Sequence, residues 1–547
     1  MLPGIESSSH RPVVWAIAVL VIGYGLAALA GLPQEASNQL EAARIGDKGQ
    51  KTGEGDEGKR GRGDSANGQR KTQVKHGAHG ADQPAAPTLT PPPFWTVVPF
   101  GLLLAVIAVL PLSQRTHHWW EGNLHKLFVA GGLASLVLAY YGFAHPHPIE
   151  RHFLGHALVA RPEGALFAWE HASTVLANAI LQDFVPFIIL LFSLYTISGG
   201  LRIAGDLPAH PITNTLFLAA GAGLASFVGT TGAAMILIRP LLETNRERKH
   251  VRHTVVFFIF VACNCGGCLL PLGDPPLFLG YLQGVPFFWT LSLWKAWLLV
   301  NGCLLGIYYT WDRWLCYPHE EPRDRARDEA RVHRLHFAGL WPNAALLLAV
   351  VPAAALLDAG QTVPGTDWRP WLYLRECVLL TLTALSLALG PESVRRQNRF
   401  DFVAIVEVAA LFLGIFICVQ PALAIAGARG PQLGIDSAAK FFWTTGILSS
   451  VLDNAPTYLV FFETAKAVGA GGNDVAGVGV RDDLLAAISL GAVFMGATTY
   501  IGNGPNFMVR SIAERAGVRM PSFLGYLAIS GVVLVPLFAL VTLLFFR

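Results

Sequence analysis

The sequence predicts an all-α polytopic membrane protein of about 11 core spans plus an N-terminal signal-like segment, built as two inverted repeats that each hold a re-entrant hairpin and a broken transmembrane helix. Three observations carry this reading. Predominantly apolar runs recur along the chain, basic loops alternate with poorly charged ones, and two Gly/Pro-interrupted motifs occur twice in the same order. Of 547 residues, 53% are hydrophobic and 14% charged, well below the quarter or so of charged residues usual in soluble domains.

The runs 94–111, 124–143, 184–201, 294–310, 337–357, 371–390, 403–418 and 523–546 are each about 16 to 24 residues, enough or nearly enough to cross some 30 Å of hydrocarbon as helix. Residues 12–32 follow Arg11 and end near Ala28 and Ala30, so 1–33 reads as a signal peptide or a first span. Residues 34–93 hold almost no large apolar side chains and read as a disordered periplasmic linker. The scaffold helices are expected at 94–143 and the first repeat at 144–310, with its hairpin near 213–242 and its broken helix near 252–290. A cytoplasmic loop at 311–336 then leads to the second repeat at 337–547, with the hairpin near 435–467 and the broken helix near 481–516.

Loop charge orients these elements. Arg246, Arg248, Lys249 and Arg252 form one basic loop; Arg313, Arg323, Arg325, Arg327, Arg331 and Arg334 a second; Arg395, Arg396 and Arg399 a third; and Arg510, Arg515 and Arg519 a fourth. The opposite loops carry few, such as Arg151, Arg161, Arg369 and Arg429. The positive-inside rule makes the first set cytoplasmic, in an inner (plasma) membrane. A net charge of +3 without a basic face excludes nucleic-acid binding. Seven cysteines scattered mostly through apolar runs do not form a disulfide framework.

The repeats show in two motif pairs. Gly223, Ser226 and Val228 recur in register as Gly446, Ser449 and Val451, so that Thr230-Thr231 falls on Asp453-Asn454. Gly267, Gly273, Pro276 and Phe278 recur as Gly496, Gly502, Pro505 and Phe507. Small residues alone are common in membrane helices, but the ordered pair points to duplication. Loop charge places the first hairpin open to the cytoplasm and the second open to the outside. Gly-Asp-Pro-Pro at 273–276 and Gly-Asn-Gly-Pro at 502–505 cannot continue a helix. The backbone groups they free must be satisfied by protein, water or a ligand, which implies a transport site at mid-membrane between the repeats.

The acidic residues in these surroundings are Asp274 in the first break, Asp453 at the second tip, Glu407 in the span before that tip, and Asp183 at the outer end of the matching span in the first repeat. A buried carboxylate is costly and marks a pathway or relay. The alternatives are that Asp274 and Asp453 cap the helices they precede, that Glu407 pairs with a neighbouring helix, and that Asp183 is interfacial. A carboxylate that takes either a proton or a hard cation suits exchange of one for the other. Oxygen ligands from Asp453, Asn454, Thr230, Thr231, Asn503 and Asn506 suit sodium, with Asn264 and Ser449 beside them. Sodium enters only as a transported ligand; no cofactor is expected.

The tips and breaks, GDPPLFLGYLQGVPFFW, SSVLDNAPT and GATTYIGNGPN, resemble the ion transporter superfamily of divalent-anion/sodium symporters, citrate carriers, arsenite pumps and NhaD-type sodium/proton antiporters, from about residue 94 onward. Asp453-Asn454 is most similar to the antiporter branch, where the acidic tip residue is implied to carry the exchanged ion. The carboxylate branch shows Ser-Asn-Thr tips and Thr-Pro-Pro-Asn breaks, whereas this chain has Gly-Thr-Thr at 229–231 and Gly-Asp-Pro-Pro. The resemblance implies a scaffold and a moving transport domain, often in a homodimer. The expected function is exchange of sodium or another small cation for protons, with Asp453 as the shared proton and cation ligand; the alternative is a sodium- or proton-coupled citrate or dicarboxylate transporter. An enzyme is not expected, since neither HExxH nor Gly-x-Ser-x-Gly occurs. Cys263, Cys265 and Cys268 read as helix packing, and His145, His147, His152 and His156 as an external surface loop.

Overall fold

The computed structural model describes residues 10–39, 90–112, 115–154, 157–330, 332–469, 474–475 and 478–547. Most of the expected linker, at 40–89, lies outside the described residues, as do His156 and Arg331. The described chain is mostly helical. Its principal helices are α1 (Arg11–Leu29), α2 (Val98–Val109), α3 (Asn123–Phe143), α4 (Trp169–Ala177), α5 (Val185–Ser198), α6 (Pro211–Thr244), α7 (Arg252–Ala262), α8 (Pro275–Leu282), α9 (Trp294–Trp311), α10 (Pro322–Ala330), α11 (Leu340–Leu356), α12 (Leu374–Leu389), α13 (Glu392–Gln397), α14 (Val403–Cys418), α15 (Gln420–Arg429), α16 (Ala438–Val451), α17 (Asn454–Val468), α18 (Asp482–Met495), α19 (Gly504–Arg515) and α20 (Phe523–Phe545).

Among the described residues, six segments are long and apolar enough to cross a membrane: Arg11–Leu29, Asn123–Phe143, Trp169–Ser198, Pro211–Thr244, Phe287–His319 and Phe523–Phe545. A seventh arises if α14 and the segment after it, bent by 41°, count as one span. The chain is a multi-pass membrane protein. The count is below the expected eleven or so; further apolar helices at Phe94–Val109, Arg252–Cys268 and Leu340–Leu356 are shorter than 18 residues. Not all of the structure is helical. β1 (Ile149–Arg151) pairs antiparallel with β2 (Ala157–Val159), and β3 (Arg202–Asp206) with β4 (His333–Ala338).

Four interrupted segments give the fold its character. In α6 the backbone leaves helical geometry at Gly229, at φ 79 and ψ 153, a conformation that favours glycine. The two legs fold back on each other. A Cβ on Gly221 would lie 3.6 Å from Leu237 Cδ1, although 16 residues of straight helix would span about 24 Å. At the open end Asn214 and Asn245 exchange amide bonds of 2.8 and 2.7 Å. A second helix pair, α16 and α17, is broken at Leu452 and Asp453.

Each pair is followed by a helix, a short 3-10 turn and another helix: α7, Cys265–Cys268 and α8, then α18, Gly496–Thr498 and α19. In each, two glycines bring the backbone against itself. A Cβ on Gly273 would meet the Gly267 carbonyl oxygen at 2.1 Å, and one on Gly502 the Gly496 oxygen at 2.7 Å. The glycines that match in sequence thus make the same close crossing.

Outside the bilayer, Glu320 ties the 245–251 loop to the chain after α9. It accepts from the amides of Lys249 and His250, at 2.9 and 2.8 Å, and pairs with Arg248, which also binds Asp312. Burial opposes charge on Glu320, but those amides and Arg248 hold its carboxyl below the usual range. Elsewhere, Arg375 and Glu376 form a buried ion pair inside the apolar run 371–390, at 2.7 Å.

Candidate ion and substrate site

The breaks place helix starts at one point. Thr230 opens the second leg of α6, Asp274 is the N-cap residue of α8, Asn454 begins α17, and Asn503 is the N-cap residue of α19. The free amides at such ends carry partial positive charge. Backbone joins the first tip to the first break, with Thr230 N donating to Gly273 O at 2.8 Å.

Asp274 lies at the centre and is buried. Its Oδ1 accepts from Thr230 Oγ1 at 3.2 Å and from Asn503 Nδ2 at 3.0 Å; its Oδ2 accepts from Asn454 Nδ2 at 2.8 Å. One carboxylate therefore joins both tips and both breaks, although its partners stand up to 229 residues away in sequence. Among the described residues no lysine or arginine pairs with it; neutral donors and helix starts take the place of a counter-ion. Behind it, Asn503 also reaches Cys263 O and Asn264 Oδ1, Asn264 donates to Asn506 Oδ1 at 2.8 Å, and Asn506 holds Gly496 O and Thr499 O, both at 2.9 Å.

The two readings of each tip acid separate here. Asp274 occupies an N-cap position but makes no side-chain cap bond; its oxygens are committed to the network. Asp453 does cap α17, accepting from Ala455 N at 3.0 Å, and its charge lies close enough to act on Asp274. Thr231 is half-buried and takes no part in the network among the described residues. Ser449 donates to Ala492 O at 2.7 Å, joining α16 to α18, as Ser226 joins α6 to Gly266 O at 2.6 Å.

Glu407 is a correction. It lies away from this network, on α14, paired with Lys126 of α3 at 2.6 Å. A buried lysine needs an anion, and Glu407 supplies it. Asp183 is buried in a π-helical turn, Asn178–Phe184, accepting from Gln283 Nε2 at 3.2 Å. Gln283 and the nearby Glu463–Lys466 pair had no motif to mark them. His145 is not on the surface; it is buried among Tyr140, Tyr141 and His171. Cys263, Cys265 and Cys268 are buried free thiols, and Cys263 adds only its carbonyl to the site.

Chemically, the cluster offers one ionisable oxygen pair and a ring of groups that can each either donate or accept. Asparagine amides present N–H to a carboxylate and can turn their oxygens toward a cation. Thr230, Asn454, Asn503 and Asn264 with Asp274 could in this way hold a small hard cation.

The family described as "Putative citrate transport" matches residues 151–546. The chain belongs to this family. The match covers both hairpins, both breaks and every residue of the Asp274 network, and the chain is a secondary transporter. Among curated proteins, none matches the chain. The resemblance drawn from the tips and breaks is thereby narrowed to a citrate-transporter-like family within the ion transporters. The substrates of this transporter are small molecules or ions.

Proposed function

We propose that the chain is a secondary active transporter of the inner membrane, and not an enzyme, that exchanges sodium or another small cation for protons, with Asp274 as the coupling carboxylate. One observation carries this: a buried carboxylate satisfied by Thr230, Asn454 and Asn503 and, among the described residues, by no lysine or arginine. A fixed cation would hold the carboxylate permanently ionised, whereas neutral donors leave the proton and a mobile cation to compete for it. Asp453, one helical start away, adds negative potential that favours a cation. The matching order of tips and breaks supports an inverted-repeat arrangement that exposes this point to each side in turn.

Proton-coupled citrate or dicarboxylate movement is the second reading, favoured by the family and by the helix starts around Asp274. With Asp274 protonated, those partial positive ends would face an anionic group. The test uses purified protein in proteoliposomes loaded with a pH-sensitive dye and offered sodium, lithium, potassium or citrate. Proton efflux driven by inward sodium supports exchange. Proton influx that requires citrate selects the second reading, and no proton movement with any of them overturns both.

A further inference from the structure

On the arginine-rich face a cavity of about 1680 Å³ opens between the end of α6, the start of α7, the segment after α13 and the end of α19. Its walls carry Arg202, Arg239, Arg252, Arg399, Arg515 and Arg519. Arg246, Arg248 and Lys249 also line it, but each is paired with a carboxylate, on Glu243, Asp312 and Glu321 respectively.

The six others differ. None has a carboxylate partner among the described residues. Arg202 and Arg239 each donate an Nη1 bond to the same oxygen, Gln397 O, at 3.0 and 3.2 Å. The two donor nitrogens therefore lie no more than about 6.2 Å apart across one neutral carbonyl, and the charge of Arg399 reaches Arg239 as well. On the facing wall Arg252 is held by another main-chain oxygen, that of Arg519, at 2.7 Å. The lining carboxylates do not relieve them: Glu243 pairs with Arg246, and Asp401 accepts the Val403 amide at 3.0 Å.

The positive-inside bias explains basic residues scattered around helix ends. It does not explain six guanidinia converging on one volume, three of them held in place by carbonyls that cannot neutralise them. Guanidinium forks match carboxylate and phosphate oxygens. We infer that this cavity is a binding site for a multivalent oxyanion, whose carboxylate or phosphate groups bridge the Arg202–Arg239–Arg399 wall and the Arg252–Arg515–Arg519 wall. The oxyanion comes from the cytosol, as a polycarboxylate or polyphosphate, or from the membrane, as a lipid phosphate. The site is separate from Asp274 and stands whichever ion Asp274 couples.

The test uses the full chain in nanodiscs of zwitterionic lipid, with inorganic pyrophosphate and citrate titrated at constant ionic strength. Two double variants, Arg202→Gln with Arg239→Gln and Arg515→Gln with Arg519→Gln, are measured in parallel, so that one serves if the other does not fold. Saturable binding weakened at least tenfold in the variants is the expected result and identifies a soluble anion. In a second arm, native mass spectrometry of protein extracted from phosphatidylglycerol-containing membranes is expected to show retained lipid that the variants lose if the source is the bilayer. The inference is overturned if no probe binds saturably in either arm, or if binding is equal in wild type and both variants.

Discussion

Replacing Asp274 by asparagine separates the fold from the coupling chemistry. The asparagine oxygen can keep the two bonds that Oδ1 now accepts, from Thr230 and Asn503. Its amide nitrogen would oppose Asn454 Nδ2, which now lies 2.8 Å from Oδ2, but the Asn454 amide can turn over and accept instead. The loss is charge assistance on two or three bonds and at most about one full bond, roughly 1–3 kcal/mol. Such a protein still folds. Coupling fares differently, because an amide takes up no proton at physiological pH, and coupled transport is expected to fall at least about 100-fold. Dye-loaded proteoliposomes measure the rate and size-exclusion chromatography the fold. Asp453→Asn is the comparison: asparagine caps a helix as well as aspartate does, so the Ala455 bond and the coupling persist, while loss of the Asp453 charge weakens the apparent cation affinity. Coupled transport above a tenth of wild type in a monodisperse Asp274→Asn protein would refute the assignment, as would its abolition by Asp453→Asn alone.

Three further outcomes are expected. Glu407→Gln leaves Lys126 without its anion; it costs about 1 kcal/mol or somewhat more, since Glu407 itself is 41% exposed, and lowers the melting temperature while transport is little changed. Gly273→Ala drives a methyl into the Gly267 carbonyl; the break must shift, costing at least about 2 kcal/mol, and transport is lost, whereas Gly284→Ala, at a positive φ of 100° but in open space, costs about 1 kcal/mol and spares transport. Burial, followed by His171, His147 and Arg161, holds the His145 ring at about 4 against an ordinary 6.5. The folded state prefers the neutral ring, so stability is full above pH 6.5 and falls as the pH drops toward 4, by about 1–2 kcal/mol after allowance for solvent. Thermal unfolding of wild type against His145→Gln over that range checks this; equal slopes would discount the histidine.

Much of the site was legible because a bilayer makes interruptions expensive. Gly273, Gly502 and their partners could be matched by order alone, and the structure shows the reason for each pair in the backbone crossing it permits. Asn264, Asn503 and Asn506 were marked by being amides in apolar surroundings. Side-chain direction was not legible. Asp274 and Asp453 both precede a helix start, and only coordinates distinguish the acid that caps from the acid that faces the other three segments. Glu407 looked like a site residue because its partner, Lys126, stands 281 positions earlier in another apolar run. The basic cavity was invisible for a related reason: loop arginines were counted for orientation, and counting carries no information about convergence.

The first hairpin is fastened at both ends, by the Asn214–Asn245 amide exchange at its mouth and by Thr230 N to Gly273 O at its tip. The tip bond runs to the residue next to Asp274, so movement of this hairpin as one piece takes Asp274 with it. In the proposed exchange, access to the two aqueous sides would then alternate by travel of that piece, with the Asn454 and Asn503 bonds to Asp274 remade on each passage. Spin labels on its two legs would keep a constant separation through a transport cycle while their distance to α3 changed.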